Sequence, residues 1–273
     1  MAPPGEPALL SADSVSWQVF KNPVCLLIGG IAAVILELAE PRVRSGVWEH
    51  TSFRRYPVTR LQRTGLAAMV TVFGARSTAE AMIANVRRIH DRVQGVTPSG
   101  MPYQASDPEL LRWVHATAAY GFLQAYQAYV RPLPASERDQ YYAEGELTAC
   151  LYGVDQAPGS EEDLRQLFEA TYPHLERSNV IFEFLQMMRQ VAVLPPVLHL
   201  TQGMLVRAAV EITPAPVRTI LGLGQRYSLR SWEAALARRA GGIADRVVLQ
   251  ASPAVQACLR LQYSADYLYR QTR

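Results

Sequence analysis

The sequence predicts an all-α protein folded as a single multi-helix globular domain. Apolar residues recur at helical spacing through nearly the whole chain, and no stretch alternates with period two between turn residues. Breaks in the pattern fall at prolines: Pro41, Pro132, Pro173, Pro195, Pro196 and Pro214. A chain of this kind makes its core by burying the apolar stripes of its helices against one another.

In chain order, the first eight residues carry three prolines and no periodicity, which predicts a flexible tail, drawn here over 1–20. The domain then runs over 21–273. Its first helix, 22–39, holds the most apolar run, "VCLLIGGIAAVIL", too short to span a bilayer and followed by Glu37 and Glu40. We read it as a buried helix and leave peripheral membrane association open. Helices follow over 57–74 and 77–95. The next, 107–130, opens on Asp107 and Pro108, with Ser106 and Glu109 as an alternative capping box. Ser136 ahead of Glu137 and Asp139, and Ser160 ahead of Glu161, Glu162 and Asp163, mark helices over 136–151 and 160–176. Further helices are expected over 178–194, 196–212, 214–223, 229–250 and 252–270.

Composition narrows the function classes. With 273 residues, 49% hydrophobic and 19% charged, the chain can bury a large core. Its net charge is only +3 and its arginines are scattered without a basic run, so no nucleic-acid partner is expected. Cys25, Cys150 and Cys258 form no CxxC, CxxCH or zinc-like spacing. They read as buried thiols of a reducing, cytoplasmic compartment, and the signature of covalent c-type haem attachment is missing. No signal peptide is expected from the N-terminal pattern. GxSxG, a phosphate-binding GxxxxGK[ST] and Glu-x-x-His are all absent, and "GLGQRYS" carries only a GxG after a helix.

Two histidines stand out. In helix 107–130, Leu111, His115, Ala118, Phe122, Ala125 and Tyr129 share one face, and Arg112 lies one turn before His115. In helix 77–95, Ile83, Val86, His90 and Val93 share a face, with Arg87 one turn before His90. Two imidazoles on apolar faces, each with a guanidinium one turn earlier, suit an iron porphyrin and its propionates. They equally suit two core histidines beside solvated arginines. His50, between helices, His174, at a turn, and His199, at a helix start, read as structural.

The stretches "RRIHDRVQG", "YQASDPELLRWVHAT" and "GVWEHTSFRRYPVTRLQRTGLAAMVTVFG" resemble the MpaB and rubber (latex-clearing) oxygenase catalytic-domain family. The likeness continues through "YYAEGELTACLYGV" and more loosely to about residue 250. It implies a helical fold enclosing a pocket for one non-covalent haem b, and oxygenase chemistry with O2 on a small apolar or amphipathic, unsaturated substrate. It implies His115 as the proximal iron ligand, with Arg112, Trp113 and Phe122 in the cofactor-binding set. His90 then faces the other side of the ring as a second ligand or a hydrogen-bond donor, and Arg87 and Asp91 join it in catalysis. The chain departs from the family where the rubber enzymes have a lysine and a threonine, here His90 and Asp91. It also has "AEP", with Glu40, in place of "AHP", and its 57–74 helix lacks the family's proposed acidic base, so Glu40 or Asp91 is left to substitute. Two rival classes remain: a non-catalytic bis-histidine haem protein, carrying electrons or sensing, and a helical interaction protein without a cofactor. The oligomeric state is not legible from the sequence.

Overall fold

A computed structural model describes residues 3–50, 56–190 and 199–270. Residues 51–55 of the family-like stretch, and the breaks expected at Pro195 and Pro196, lie outside the described residues, as does the 191–194 end of the helix expected from 178. Helices dominate, in the order α1 (Val15–Phe20), α2 (Pro23–Ala39), α3 (Pro41–His50), α4 (Pro57–Phe73), α5 (Arg76–His90), α6 (Pro108–Tyr129), α7 (Ala135–Tyr152), α8 (Glu161–Thr171), α9 (Asn179–Gln190), α10 (His199–Ile212), α11 (Ala215–Leu221), α12 (Ser231–Ala244), α13 (Pro253–Arg260) and α14 (Tyr267–Arg270). This is the all-α architecture the sequence predicts. Among the described residues no single helix is long and apolar enough to cross a membrane.

The core is built around α2 and α6. Asn22 caps α2 by accepting from the Val24 and Cys25 N–H groups, with Pro23 at its first position. Asp107 caps α6 the same way, accepting from Glu109 and Leu110. The two helices run antiparallel. The Cys25 thiol meets the Ala125 carbonyl at 3.6 Å, Gly29 faces Gly121, and Trp113 Nε1 donates to the Leu36 carbonyl at 3.3 Å. At the crossing the backbones touch: a β-carbon on Gly29 would stand 2.7 Å from the Gly121 oxygen, so neither position has room for a side chain. α10 and α12 close the other side. Tyr129 and Tyr120 of α6 donate to the Ala208 and Ile212 carbonyls of α10, and Gly241 lets α12 sit against the Tyr129 backbone.

Four expectations are corrected. The flexible tail over 1–20 is not what residues 3–20 form. Arg260 donates from Nε to the Glu6 carbonyl at 2.9 Å, Arg76 N–H donates to Pro7, and every residue of α1 is buried. The α1 N-terminus is held by Glu144, whose carboxylate accepts from Val15 and Ser16 N–H at 3.0 and 2.9 Å. Second, the helix expected over 77–95 stops at His90, and Gln94–Val96 instead pairs antiparallel with Pro102–Gln104 as strands β1 and β2. Gly100, at φ +87°, makes the turn between them, and Gly95 leaves space for the Tyr103 ring. Third, the helices expected over 229–250 and 252–270 are shorter, α12 ending at Ala244 and the second splitting into α13 and α14. Fourth, Cys150 is exposed, while Cys25 and Cys258 are buried as expected.

Candidate functional site

His115 sits on the second turn of α6, where that helix packs against α7. Its side chain is largely surrounded by protein and finds no hydrogen-bond partner among the described residues. Its Nε2 points at Gly145 of α7, where a β-carbon would approach to 3.5 Å. Burial pushes its pKa down to about 4, so the imidazole is neutral at pH 7. A neutral imidazole with an unused nitrogen is the state in which histidine binds a metal.

His90 is the last residue of α5. Burial and the Arg60 charge lower its pKa, against an opposing pull from Asp91. Its Nδ1 is buried without a partner. His90 lines a recess of about 70 Å³ together with Arg87, Asp91, Ser106, Leu111, Tyr152 and Gly153. Thus the structure brings His90, Arg87 and Asp91 together, and adds Leu111, which lies one turn before His115 on the same face of α6.

Both arginines bond the chain itself. Arg112 donates from Nε to the Asp155 carbonyl at 2.9 Å and from Nη2 to Gln156 Oε1 at 3.2 Å. Arg87 reaches the Leu151 carbonyl at 3.5 Å, and its guanidinium lies beside Gly153. Both therefore hold the C-terminal end of α7 and the loop after it. Trp113 is in the core, with its ring against Phe168 (4.9 Å between centroids) and its N–H on Leu36; it points away from the His115 face. Phe122 is on the His115 face but two turns along, packed on Phe20 at 4.7 Å. Glu40 is no free base: it accepts from Val43 N–H at 2.7 Å, starting α3, and pairs with Arg42. His50 closes α3 and bonds the Tyr103 hydroxyl at 3.0 Å, and His174 is in an exposed 3-10 turn. His199 begins α10, and its side chain lies outside the described residues.

Sequence reasoning missed two groups. Glu37, in the most apolar helix, is half-buried by solvent exposure but densely surrounded by protein, and this desolvation pushes its pKa up to about 7 against the pull of Arg60. Arg60 of α4 is itself lowered by burial and bears on both Glu37 and His90, so α2, α4 and α5 bring three ionisable groups within electrostatic reach of one another. A lone glutamate at the end of "VCLLIGGIAAVILE" was the available signal.

The axial-ligand demand of a haem, one or two imidazoles, is one that His115 and His90 are chemically able to meet. Among the described residues no three His, Cys, Asp or Glu side chains converge to hold a metal. A porphyrin brings four nitrogens of its own and asks the protein for one or two axial ligands. The recess that His90 lines does not include His115, and at about 70 Å³ it is far below the roughly 300 Å³ of ligand pockets, so a porphyrin would fit there only if the walls separated. A wider recess of about 390 Å³ lies at α11, lined by Arg218, Thr219, Gly222 and Ser228 among others, and holds none of the histidines.

Comparison with known proteins identifies the family. The family model described as "ER-bound oxygenase mpaB/B'/Rubber oxygenase, catalytic domain" matches residues 17–246, which include both histidine helices. The chain is 25% identical over 178 residues to "Uncharacterized protein Rv2237" of Mycobacterium tuberculosis, covering 63% of this chain and 70% of the relative. It is equally similar to "Uncharacterized protein Mb2261" of Mycobacterium bovis. No solved structure matches.

Proposed function

The chain belongs to the mpaB/rubber oxygenase catalytic-domain family, and from that premise we propose that it is a haem b-dependent oxygenase in which His115 is the axial ligand. The observation that carries the reading is His115 itself: neutral, without a hydrogen-bond partner among the described residues, and aimed at the gap that Gly145 leaves. When bound, haem would supply the redox chemistry that activates dioxygen. The substrate class that fits is a small apolar or amphipathic unsaturated molecule, by likeness to the family.

The protein's own groups divide the remaining work. Arg112 and Arg87 fix the α7 end and so the wall carrying Tyr152 and Gly153. His90, kept neutral by burial and by Arg60, presents an imidazole to the recess. Glu37 is a carboxyl able to hold a proton at neutral pH and to release it, which is what a general acid or base needs. Asp91, at the rim, biases His90 toward its charged form.

The test is spectroscopic. Protein purified with haem should show a Soret band, and His115→Ala should lose it while the helical circular dichroism stays. An unchanged Soret band and axial-ligand spectrum in His115→Ala would remove His115 from the role.

A second reading is favoured by the unpartnered Nδ1 of His90: a non-catalytic haem protein ligated by both histidines. Carbon monoxide separates the two. Rapid binding to the ferrous form supports an open site, and refusal supports the closed carrier.

A further inference from the structure

We propose that the outer face of α12 is a docking surface for an anionic phospholipid bilayer. The inference is independent of the site between α5, α6 and α7. Trp232, Leu236, Arg239 and Ile243 fall at intervals of four, three and four residues, so they form one stripe along the helix. Trp232 is 60% exposed and Ile243 58%. The buried side of the same helix is Glu233, Ala237 and Gly241, which faces α6 and α10. The apolar stripe is therefore not the core side of α12, and Val247 and Leu249 extend it, exposed, past the helix end.

Charge decides what covers it. Between residues 225 and 250 there are five arginines, Arg226, Arg230, Arg238, Arg239 and Arg246, all exposed. The two acids of the segment are both buried: Glu233 pairs with Arg207, and Asp245 with Lys21. Glu211 on the adjoining α10 is paired with Arg218. The segment thus shows solvent only positive charge around an apolar stripe headed by tryptophan. Such a surface matches the interface of an anionic membrane, where indole and aliphatic groups enter the headgroup layer and guanidinium groups meet phosphates. A polyanion without an apolar layer would leave Leu236 and Ile243 in water.

The experiment is co-sedimentation of the full chain with phosphatidylcholine vesicles, with and without phosphatidylglycerol. Binding is expected only to the phosphatidylglycerol vesicles and should fall with added salt. Arg239→Gln with Arg246→Gln should lower the partition coefficient about 25-fold, from roughly fivefold per arginine. Trp232→Ser with Ile243→Ser should also release the protein from vesicles. All four positions are exposed, and circular dichroism checks that the variants fold. Failure of the wild type to bind anionic vesicles overturns the proposal, as does wild-type binding by either double variant. A concentration-dependent dimer that the Trp232→Ser, Ile243→Ser pair disperses, with no vesicle binding, would give the face to a second copy of the chain and overturn it equally.

Discussion

Gly145 stands opposite the Nε2 atom of His115: a β-carbon at position 145 would lie 3.5 Å from it, in ordinary contact. The pair sets how much can be placed on that nitrogen. Gly145→Ala should be accepted by the fold and gain about 0.5–1 kcal/mol from helix propensity, as read by urea denaturation. Gly145→Leu should fill the gap and abolish haem retention, matching His115→Ala in the absorption spectrum. If Gly145→Leu keeps a wild-type Soret band, the gap is not where a ligand enters.

Stability against pH should be governed by two opposed groups. His115 takes its proton near pH 6.5 when unfolded but only at about 4 when folded, so it costs stability as pH falls through that window, by at most about 3 kcal/mol. Glu37 loses its proton near 4.5 unfolded but at about 7 folded, so it costs stability as pH rises through its window. Where the windows overlap the two effects oppose. Urea midpoints should therefore change little for the wild type between pH 5 and 6. Glu37→Gln should become less stable toward acid there, and His115→Ala less stable toward neutral pH. Parallel profiles for the two variants would show that these groups do not titrate as described.

Arg112 should act through the loop after α7. Its two hydrogen bonds go to neutral acceptors, at Asp155 and Gln156, and Gln156 is held at φ +53°. Arg112→Met should cost about 1–2 kcal/mol and speed amide exchange over residues 153–157. Unchanged exchange in that loop would mean that the bonds do not hold it.

Gly121→Ala should be severely destabilising despite the better helix propensity of alanine. The new methyl would overlap the Gly29 carbonyl, and backbone cannot yield as a flexible side chain can. A loss on the order of 2–4 kcal/mol, or failure to fold, is expected for overpacking at a closed crossing. A variant with the wild-type melting temperature would show that the helices stand further apart than described.

The helices were legible where caps and periodicity agreed, as at Asp107 and Ser160, whose side chains accept from backbone N–H groups; at Ser136 the cap signal did not hold, because α7 begins one residue earlier behind Pro134. The β1–β2 hairpin was not, because three-residue strands carry no readable alternation. α1 was hidden because its anchor is Glu144, more than a hundred residues away. At the site, helical spacing singled out His115 and His90 and the family likeness gave them roles, but spacing did not show that Arg112 bonds the loop after α7. A guanidinium one turn from an imidazole is free to reach elsewhere, and here it bonds the Asp155 carbonyl and the Gln156 amide of the α7 loop. Glu37 was visible as a charge in an apolar run, but its raised pKa comes from the burial that the packed helices impose, against the lowering pull of Arg60 from another helix.

The Gly29–Gly121 crossing has a mechanical consequence. Backbone wedged on backbone leaves α2 and α6 no slack to slide or tilt, so His115 rides on a fixed rail. Any widening of the 70 Å³ recess to porphyrin size must then come from the opposite wall, the α5 end and the α7 loop. That wall is latched through Arg87 and Arg112 by hydrogen bonds to backbone carbonyls and an amide, with no ion pair among them. The parts of the recess able to give way thus lie on one side of it, and the helix that carries His115 is on the side that stays still.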